Sequence, residues 1–430
     1  MQHVERAMLI AVAVLVALTA LGMWLLWPGQ RPQAPGAPPL YAGRVVQAQD
    51  YQCPDLGSQA EEAFGFQRTG PCQRVEVAIL EGPGAGETFR IDTAEEDYPA
   101  FEHGDRVRVG VATIGEADRT YYVADFARLR PLLVLFLVFV AAAVAVGRWY
   151  GVRSLAGLAL SLAIIVWFVV PGILAGSNPF AVAVVGAFAI MLVTLYLAHG
   201  FTVKTSAALI GTAAALGLTA LLGVAFVAFA NLTGLASEEA SLARFAVEGL
   251  DLRGLVLAGL VIGALGVLDD VTVSQASTVF AVHEANPDQS FGEVFRRAMS
   301  VGRDHIASTV NTLVLAYVGA SIPLIVLFST GGLPAAEIVN AEIVAEEVVR
   351  TLVGSVGLIS AVPLTTALAT AVAMRRDAGE LPVPAHLRDD VDEDELSDEE
   401  LAHRRWIAYL RSGATEGEPP SVPSAEEDGS

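Results

Sequence analysis

Charge is scarce in this sequence. Asp, Glu, Lys and Arg make up 17% of its 430 residues, where a soluble globular chain carries about 25%, so a protein dissolved in the cytosol is excluded. Basic residues are scarcer still: 26 Lys and Arg stand against 47 Asp and Glu, leaving a net charge of −21. Affinity for phosphate backbones needs clustered cations, and nucleic-acid binding is set aside. No zinc-ligand spacing, phosphate-cradling glycine loop or nucleophile elbow occurs. The chain therefore does not read as an enzyme, and no cofactor or metal is expected. What it has in excess is apolar residues, 53%, gathered into runs close to the ~20 residues that cross a bilayer as a helix. The composition is that of an α-helical polytopic membrane protein with soluble additions, its first partner being the lipid bilayer.

Residues 1–27 read as a membrane anchor. The run Ala7 to Trp27 carries no charge and ends on Trp24 and Trp27, side chains suited to the membrane interface. It exceeds the apolar region of a signal peptide, and no small-residue cleavage site directly follows. Residues 28–40 are rich in Pro, Gly, Gln and Ala and form a linker. Over 41–130 the hydrophobic period changes to two, in Arg44–Ala48, Arg74–Ile79, Asp105–Val111 and Thr120–Ala124, which predicts strands. Gly82-Pro83-Gly84-Ala85-Gly86 supplies a hairpin loop between two of them. The expectation is a small all-β domain, barrel-like and OB-like in one form, that contacts a partner or the cell envelope. Both cysteines, Cys53 and Cys72, fall inside it. Outside the cytosol they would be expected to pair, closing a loop of about 20 residues and stabilising by roughly 3 kcal/mol in the chain-entropy model; two unpaired buried thiols are the alternative.

Residues 131–374 hold seven further apolar segments: Pro131 to Val146, Leu155 to Leu174, Phe180 to Ala198, Ser206 to Ala230, Leu255 to about Val282, Ile306 to Phe328 and Thr351 to Ala373. With the anchor they predict about eight transmembrane helices. Loop charges orient them, because Lys and Arg collect on the cytoplasmic side of short loops. An N-terminus inside places Arg148 and Arg153, Lys204, Arg296, Arg297 and Arg303, and Arg375 and Arg376 on the cytoplasmic face. The opposite loops, with Glu238, Glu239, Glu248, Asp251, Glu337, Glu342, Glu346 and Glu347, are acidic or neutral overall. The same threading puts the β-domain outside, where a disulfide persists. The tail, 375–430, is predicted to be mostly disordered: from Asp377 onward it holds 16 acidic residues and 4 arginines. Within it Ser397-Asp398-Glu399-Glu400 has capping-box form ahead of Leu401, Trp406, Ile407 and Leu410. A short solvated helix is expected there.

The segment from Leu255 carries the chemistry. Its uninterrupted apolar part ends at Leu268, about 21 Å of helix, too short for the hydrocarbon. Crossing requires the helix to continue through Asp269 and Asp270, which places two carboxylates in the inner half of the bilayer; the alternative is a helix that frays at the aspartates. Asp270, Ser274 and Thr278 share one face at i, i+4 spacing. A carboxylate there costs about 2.5–3.5 kcal/mol on insertion scales and should face the bundle. Two adjacent carboxylates resist ionising together, so that one proton would bind and leave the pair. The candidate ion or proton site is Asp269, Asp270 and Ser274 with Asn311 and Thr312 of the following span as hydrogen-bonding partners, where helix packing is the competing role for the polar residues. Arg303 and Asp304 are interfacial support, His305 an interfacial histidine. Gly259 and Gly263 form a small-xxx-small pair whose default meaning is helix packing.

The string Asp270-Val271 with Ser274 and Ser277, followed by Gly302-Arg303-Asp304 and by Asn311-Thr312-Leu313 with Ala316-Tyr317 and Gly319, resembles the YibE/F family of bacterial multi-pass membrane proteins. The resemblance spans Pro131 to Ala373 and implies an anchor helix, an external domain and seven further spans in a bacterial inner membrane. Asp269 and His305 stand outside the matched pattern. The family brings no established activity. Two functions remain: a permease or envelope-assembly factor with proton or ion coupling at Asp269 and Asp270, its β-domain meeting cargo or an envelope or secreted partner, or a non-transporting scaffold recruiting partners through the β-domain and acidic tail. An intramembrane hydrolase needs two aspartates facing each other, whereas sequence neighbours diverge by about 100° on a helix.

Overall fold

The computed structural model describes residues 2–29, 38–52, 71–94, 100–114, 118–247, 249–332 and 334–377. The chain divides into two compact units, residues 30–155 and residues 1–29 together with 156–430.

In the first unit five strands, β1 (Tyr41–Gln52), β2 (Pro71–Ile79), β3 (Thr88–Ala94), β4 (Arg106–Ile114) and β5 (Asp118–Phe126), form one antiparallel sheet in the order β3-β2-β1-β4-β5. The first strand is central and carries a bulge between Val45 and Gln47. Its first residues, Tyr41–Arg44, pair with β4, while Gly43–Gln52 pair with β2. The ends of the sheet approach: the rings of Phe89 on β3 and Tyr121 on β5 lie 5.8 Å apart, giving a nearly closed, barrel-like sheet. The alternating positions Val75, Val77 and Ile79 on β2, with Val107 and Val109 on β4, point inward and are buried with Val45, Phe101 and Val123. Period-two patterning had identified four of the strands. It missed β3, whose TFRIDTA sequence has polar residues on the exposed face and only a short apolar alternation. The glycine loop joins β2 to β3, and Gly82, Gly84 and Gly86 all take positive φ, a region open to glycine at no steric cost. Cys72 is buried on β2; Cys53 lies outside the described residues, as do most of the linker and the tail with Ser397 and Trp406.

Helix α2 (Leu129–Ile164) begins in this unit and is broken at Arg148, with φ 49° and ψ −128°. The break is sharp enough that a Cβ on Gly151 would lie 2.2 Å from the Ala143 carbonyl oxygen, eight residues back.

The second unit is helical. It contains α1 (Gln2–Leu26), the end of α2, a π-helical turn at Ile165–Val169, α3 (Val170–Leu174), α4 (Pro179–His199), α5 (Val203–Phe229) and α6 (Glu238–Ala246). Beyond these come α7 (Leu252–Ala285), α8 (Phe291–Ala320), α9 (Ile322–Thr330), α10 (Ala335–Asn340) and α11 (Glu342–Asp377). The π turn precedes Pro171, whose missing N–H and ring disturb the preceding turn. Helices α8 and α9 meet at a 57° bend, because Pro323 in the first turn of α9 has no N–H to continue the ladder. The predicted single span Ile306 to Phe328 is therefore a broken one. Among the described residues six helical stretches are long and apolar enough to cross a bilayer, and the bent pair would make a seventh.

At the centre α5, α7 and α11 pack on one another, with α4 against α7 and α8 against α11. Small residues permit the contact. A Cβ on Gly211 would lie 2.3 Å from Thr365 Oγ1, and one on Gly357 would lie 2.0 Å from Thr219 Oγ1, so α5 and α11 touch nearly backbone to side chain. The core around them gathers Met191, Leu209, Leu216, Leu265, Leu268 and Leu358. Helix α1 packs against α4 and α5, and Trp27 places its ring 5.8 Å from that of Phe168.

Candidate functional site

Helix α7 decides where the carboxylates sit. Asp251 caps it, its side chain accepting from Gly254 N at 3.0 Å, and the helix runs unbroken for 34 residues, about 50 Å at 1.5 Å per residue. It does not fray at Asp269 and Asp270. The reason lies on its flanks: Val261, Leu265, Leu268, Val271, Gln275 and Val279 are all buried against α4, α5, α8 or α11, so packing continues on both sides of the polar pair and carries the helix through it. Asp270 points outward and is exposed, while Asp269, about 100° round the helix, is half-buried and turned toward α4.

One side chain meets it there. Thr194 Oγ1 donates to Asp269 Oδ2 at 3.0 Å and lies 2.9 Å from its own helix's Ile190 carbonyl oxygen. A hydroxyl has one proton and two acceptor sites, so it serves only one of these acceptors at a time. With Asp269 ionised, the Thr194 proton goes to the carboxylate. With Asp269 protonated on Oδ2, that proton can pass to Thr194 Oγ1 as acceptor while the Thr194 proton turns to Ile190. Both charge states are thus hydrogen-bonded without moving a heavy atom. The other carboxylate oxygen, Asp269 Oδ1, is buried and accepts from no described residue. A buried polar atom left so is costly and calls for an explanation.

Around the aspartate lies a layer of buried hydroxyl and amide groups. Thr212 of α5 and Thr272 of α7 are 2.6 Å apart, oxygen to oxygen, and Thr272 also donates to the Asp269 carbonyl at 3.2 Å. One turn on, Gln275 is 2% exposed. Its amide nitrogen donates to the Ala298 carbonyl of α8 at 3.0 Å and to Thr366 Oγ1 of α11 at 2.7 Å. Gly302 packs on that amide, a Cβ there falling 3.0 Å from Gln275 Oε1. These bonds fix α7 against three neighbours at the depth of the carboxylates.

The structure separates the residues that the sequence grouped. Asp269 and Asp270 are neighbours, and Ser274 is half-buried one turn below Asp270, its carbonyl accepting from Thr278 Oγ1 at 2.9 Å. Asn311 and Thr312 do not join them: both are exposed on α8, and Thr312 donates to the Ser308 carbonyl of its own helix at 3.0 Å. The expectation that they bond the aspartates assumed that equal depth implies facing sides. The buried positions Val294, Ala298 and Gly302 instead turn the opposite side of α8 toward the bundle. Arg303 and Asp304 are exposed and form no ion pair with each other among the described residues, and His305 is half-buried. Thr194 and Gln275 are the residues that the sequence reading passed over. Each had a signal, a lone hydroxyl inside Ile190–Leu195 and a lone amide inside Val271–Phe280, where polar groups at membrane depth face protein rather than lipid.

Residues 135–375 match the family model described as YibE/F-like protein. No curated protein matches, and neither does any solved structure.

Proposed function

Because the chain belongs to the YibE/F-like family, which brings no established activity, we propose its function from the bundle itself: a multi-pass protein of a bacterial inner membrane, a permease or envelope-assembly factor whose working cycle is coupled to proton binding at Asp269, with Asp270 beside it. The observation that carries this reading is the pairing at Asp269. A carboxylate in the interior of a continuous helix keeps one oxygen without a partner among the described residues and gives the other to a hydroxyl that can serve either charge state. A group that only fastened helices together would be expected to spend both oxygens on fixed donors. Eight spans fit the same reading: the apolar stretch Leu129–Leu174 is 46 residues, about 69 Å of helix and twice the hydrocarbon thickness, and the non-helical backbone at Arg148 is where two spans would be joined. The β-domain would lie outside, with both termini inside. The strand order supports an OB-like form for that domain, and a disulfide between Cys53 and Cys72 would staple it.

The test is proton flux in proteoliposomes. Asp269→Asn keeps size and the capacity to hydrogen-bond Thr194 but cannot titrate, so flux should vanish while thermal stability stays at the parental value; Asp270→Asn should slow it. Parental protein that passes no protons under any imposed gradient would defeat the proposal and leave the scaffold reading, in which β-domain and acidic tail recruit partners and the intramembrane polar groups serve only packing.

A further inference from the structure

The polar residues of α8 that turn away from the aspartates have no cover among the described residues. Ser308, Asn311 and Leu315 recur at i, i+3 and i+7 and share one side of the helix with Asp304 and Thr312, and all five are exposed. The opposite side, with Ala298, Gly302, Ile306 and Val310, packs on the bundle. The Asn311 amide makes no hydrogen bond to any described residue, and Thr312 donates only within its own helix, to the Ser308 carbonyl.

Contacts on either side of Asn311 give its height. A Cβ on Gly302 would lie 3.0 Å from Gln275 Oε1, and one on Gly263 would lie 3.3 Å from Tyr317 Oη. The stretch of α8 from Gly302 to Tyr317 therefore runs beside Gly263–Gln275 of α7, and Asn311 stands about level with Leu268, at the middle of the 34-residue α7. The outward surface of α11 near that height is apolar, with Leu352, Val356 and Ile359 exposed, as a lipid-facing surface should be. The outward surface of α8 is not. Its hydroxyls and carboxamide would meet hydrocarbon, where polar side chains instead bond across to another helix.

We propose that this side of α8 is the interface between two copies of the chain, packed in parallel about a two-fold axis along the membrane normal, with the two Asn311 amides bonded to each other. Under such an axis each residue meets its own counterpart at the same depth, and a carboxamide, donor and acceptor in one group, complements itself. Ala307, Ser308 and Thr312 are small enough for close approach of the two helices. Arg303 and Asp304, exposed and not paired with each other among the described residues, put both signs of charge at adjacent positions, so Asp304 of one copy can take Arg303 of the other. A face that carries both halves of each pair calls for no second kind of chain. This inference rests on the multi-pass reading but not on proton coupling.

The test places Asn311→Cys, Ser308→Cys and Leu315→Cys singly in the full chain and oxidises native membranes. Each should give a species of twice the chain's mass whose cross-linked peptide joins the substituted position to itself, above the background of the parental chain with Cys53 and Cys72. Ile359→Cys, on the apolar side of α11, should not. Labelled chains diluted in liposomes should count two copies per particle. Asn311→Leu should weaken that association by about three- to twentyfold, the span for polar contacts between membrane helices, with Asn311→Gln between; it removes no bond within one chain, so its thermal melting should be parental. Single copies at every dilution, pairing without the 311 cross-link, a cross-link from 311 to a different protein, or an Asn311→Leu chain that pairs as the parent does would each overturn the proposal. If Asn311→Cys instead reacts with a membrane-impermeant thiol reagent as fast as Asp288→Cys in the loop after α7, α8 is not in hydrocarbon, and the multi-pass reading of that span fails together with the interface.

Discussion

Thr194→Val is the most informative single change. Valine matches threonine in shape, so α4 should remain packed against α7, and the only loss is one oxygen and its proton. That oxygen lies 3.0 Å from Asp269 Oδ2 and 2.9 Å from the Ile190 carbonyl. The helix loses little, because the Ile190 carbonyl already takes a backbone bond within α4. Asp269 loses its one hydrogen-bonding side chain among the described residues, and a hydrogen bond to a charged group contributes about 1.5–3 kcal/mol. At about 1.4 kcal/mol per factor of ten, proton turnover should fall roughly ten- to a hundredfold. Thr194→Ser retains the hydroxyl and should stay within a few-fold of the parent. The assay is the initial rate of dye-reported acidification in proteoliposomes at a fixed imposed gradient, with thermal melting of each variant measured in the same lipid. Thr194→Val protein that melts normally and turns over at the parental rate would refute the argument that this hydroxyl serves both charge states of Asp269.

Other outcomes follow from the same geometry. Gln275→Leu removes two buried bonds, to Ala298 O and Thr366 Oγ1, and should destabilise the bundle by about 1–3 kcal/mol, read as a lower melting temperature with no change in secondary structure content. Glu342 accepts from Thr233 N, Thr233 Oγ1 and Gly234 N; Glu342→Ala should release the loop after α5, seen as faster amide exchange at residues 231–235, with Glu342→Gln intermediate. In the β-domain the Arg128 guanidinium, and after it the Phe126 N–H, hold the Asp125 carboxyl below its ordinary range. A depressed carboxylate favours the fold at neutral pH and loses that contribution as pH falls through its folded value, so a carbon-detected titration of Asp125 should have its midpoint below the ordinary carboxylate range and rise toward it, without reaching it, in Arg128→Gln, where the Phe126 N–H still donates. Without reductant, Cys53 and Cys72 should resist alkylation in the unfolded chain, whereas labelling of both would rule out their pairing.

The sequence by itself determined the apolar, helical character of the chain and the period-two β-domain, because these depend on local composition and hydrophobic period. For the segment from Leu255 it left two courses, a helix through Asp269 and Asp270 or one fraying there, and the structure has the continuous one. Which way those carboxylates face was decided only by the tertiary structure. Rotation about a helix axis is set by packing, and Ala298 and Gly302 turn α8 so that Asn311 and Thr312 face away while Thr194, 75 residues earlier in the chain, reaches Asp269. The same holds for the glycines of α7. Their spacing was plain in the sequence, but spacing cannot tell a filled groove from an open one, and it is the tertiary structure that leaves a Cβ on Gly266 with no described atom within 4 Å.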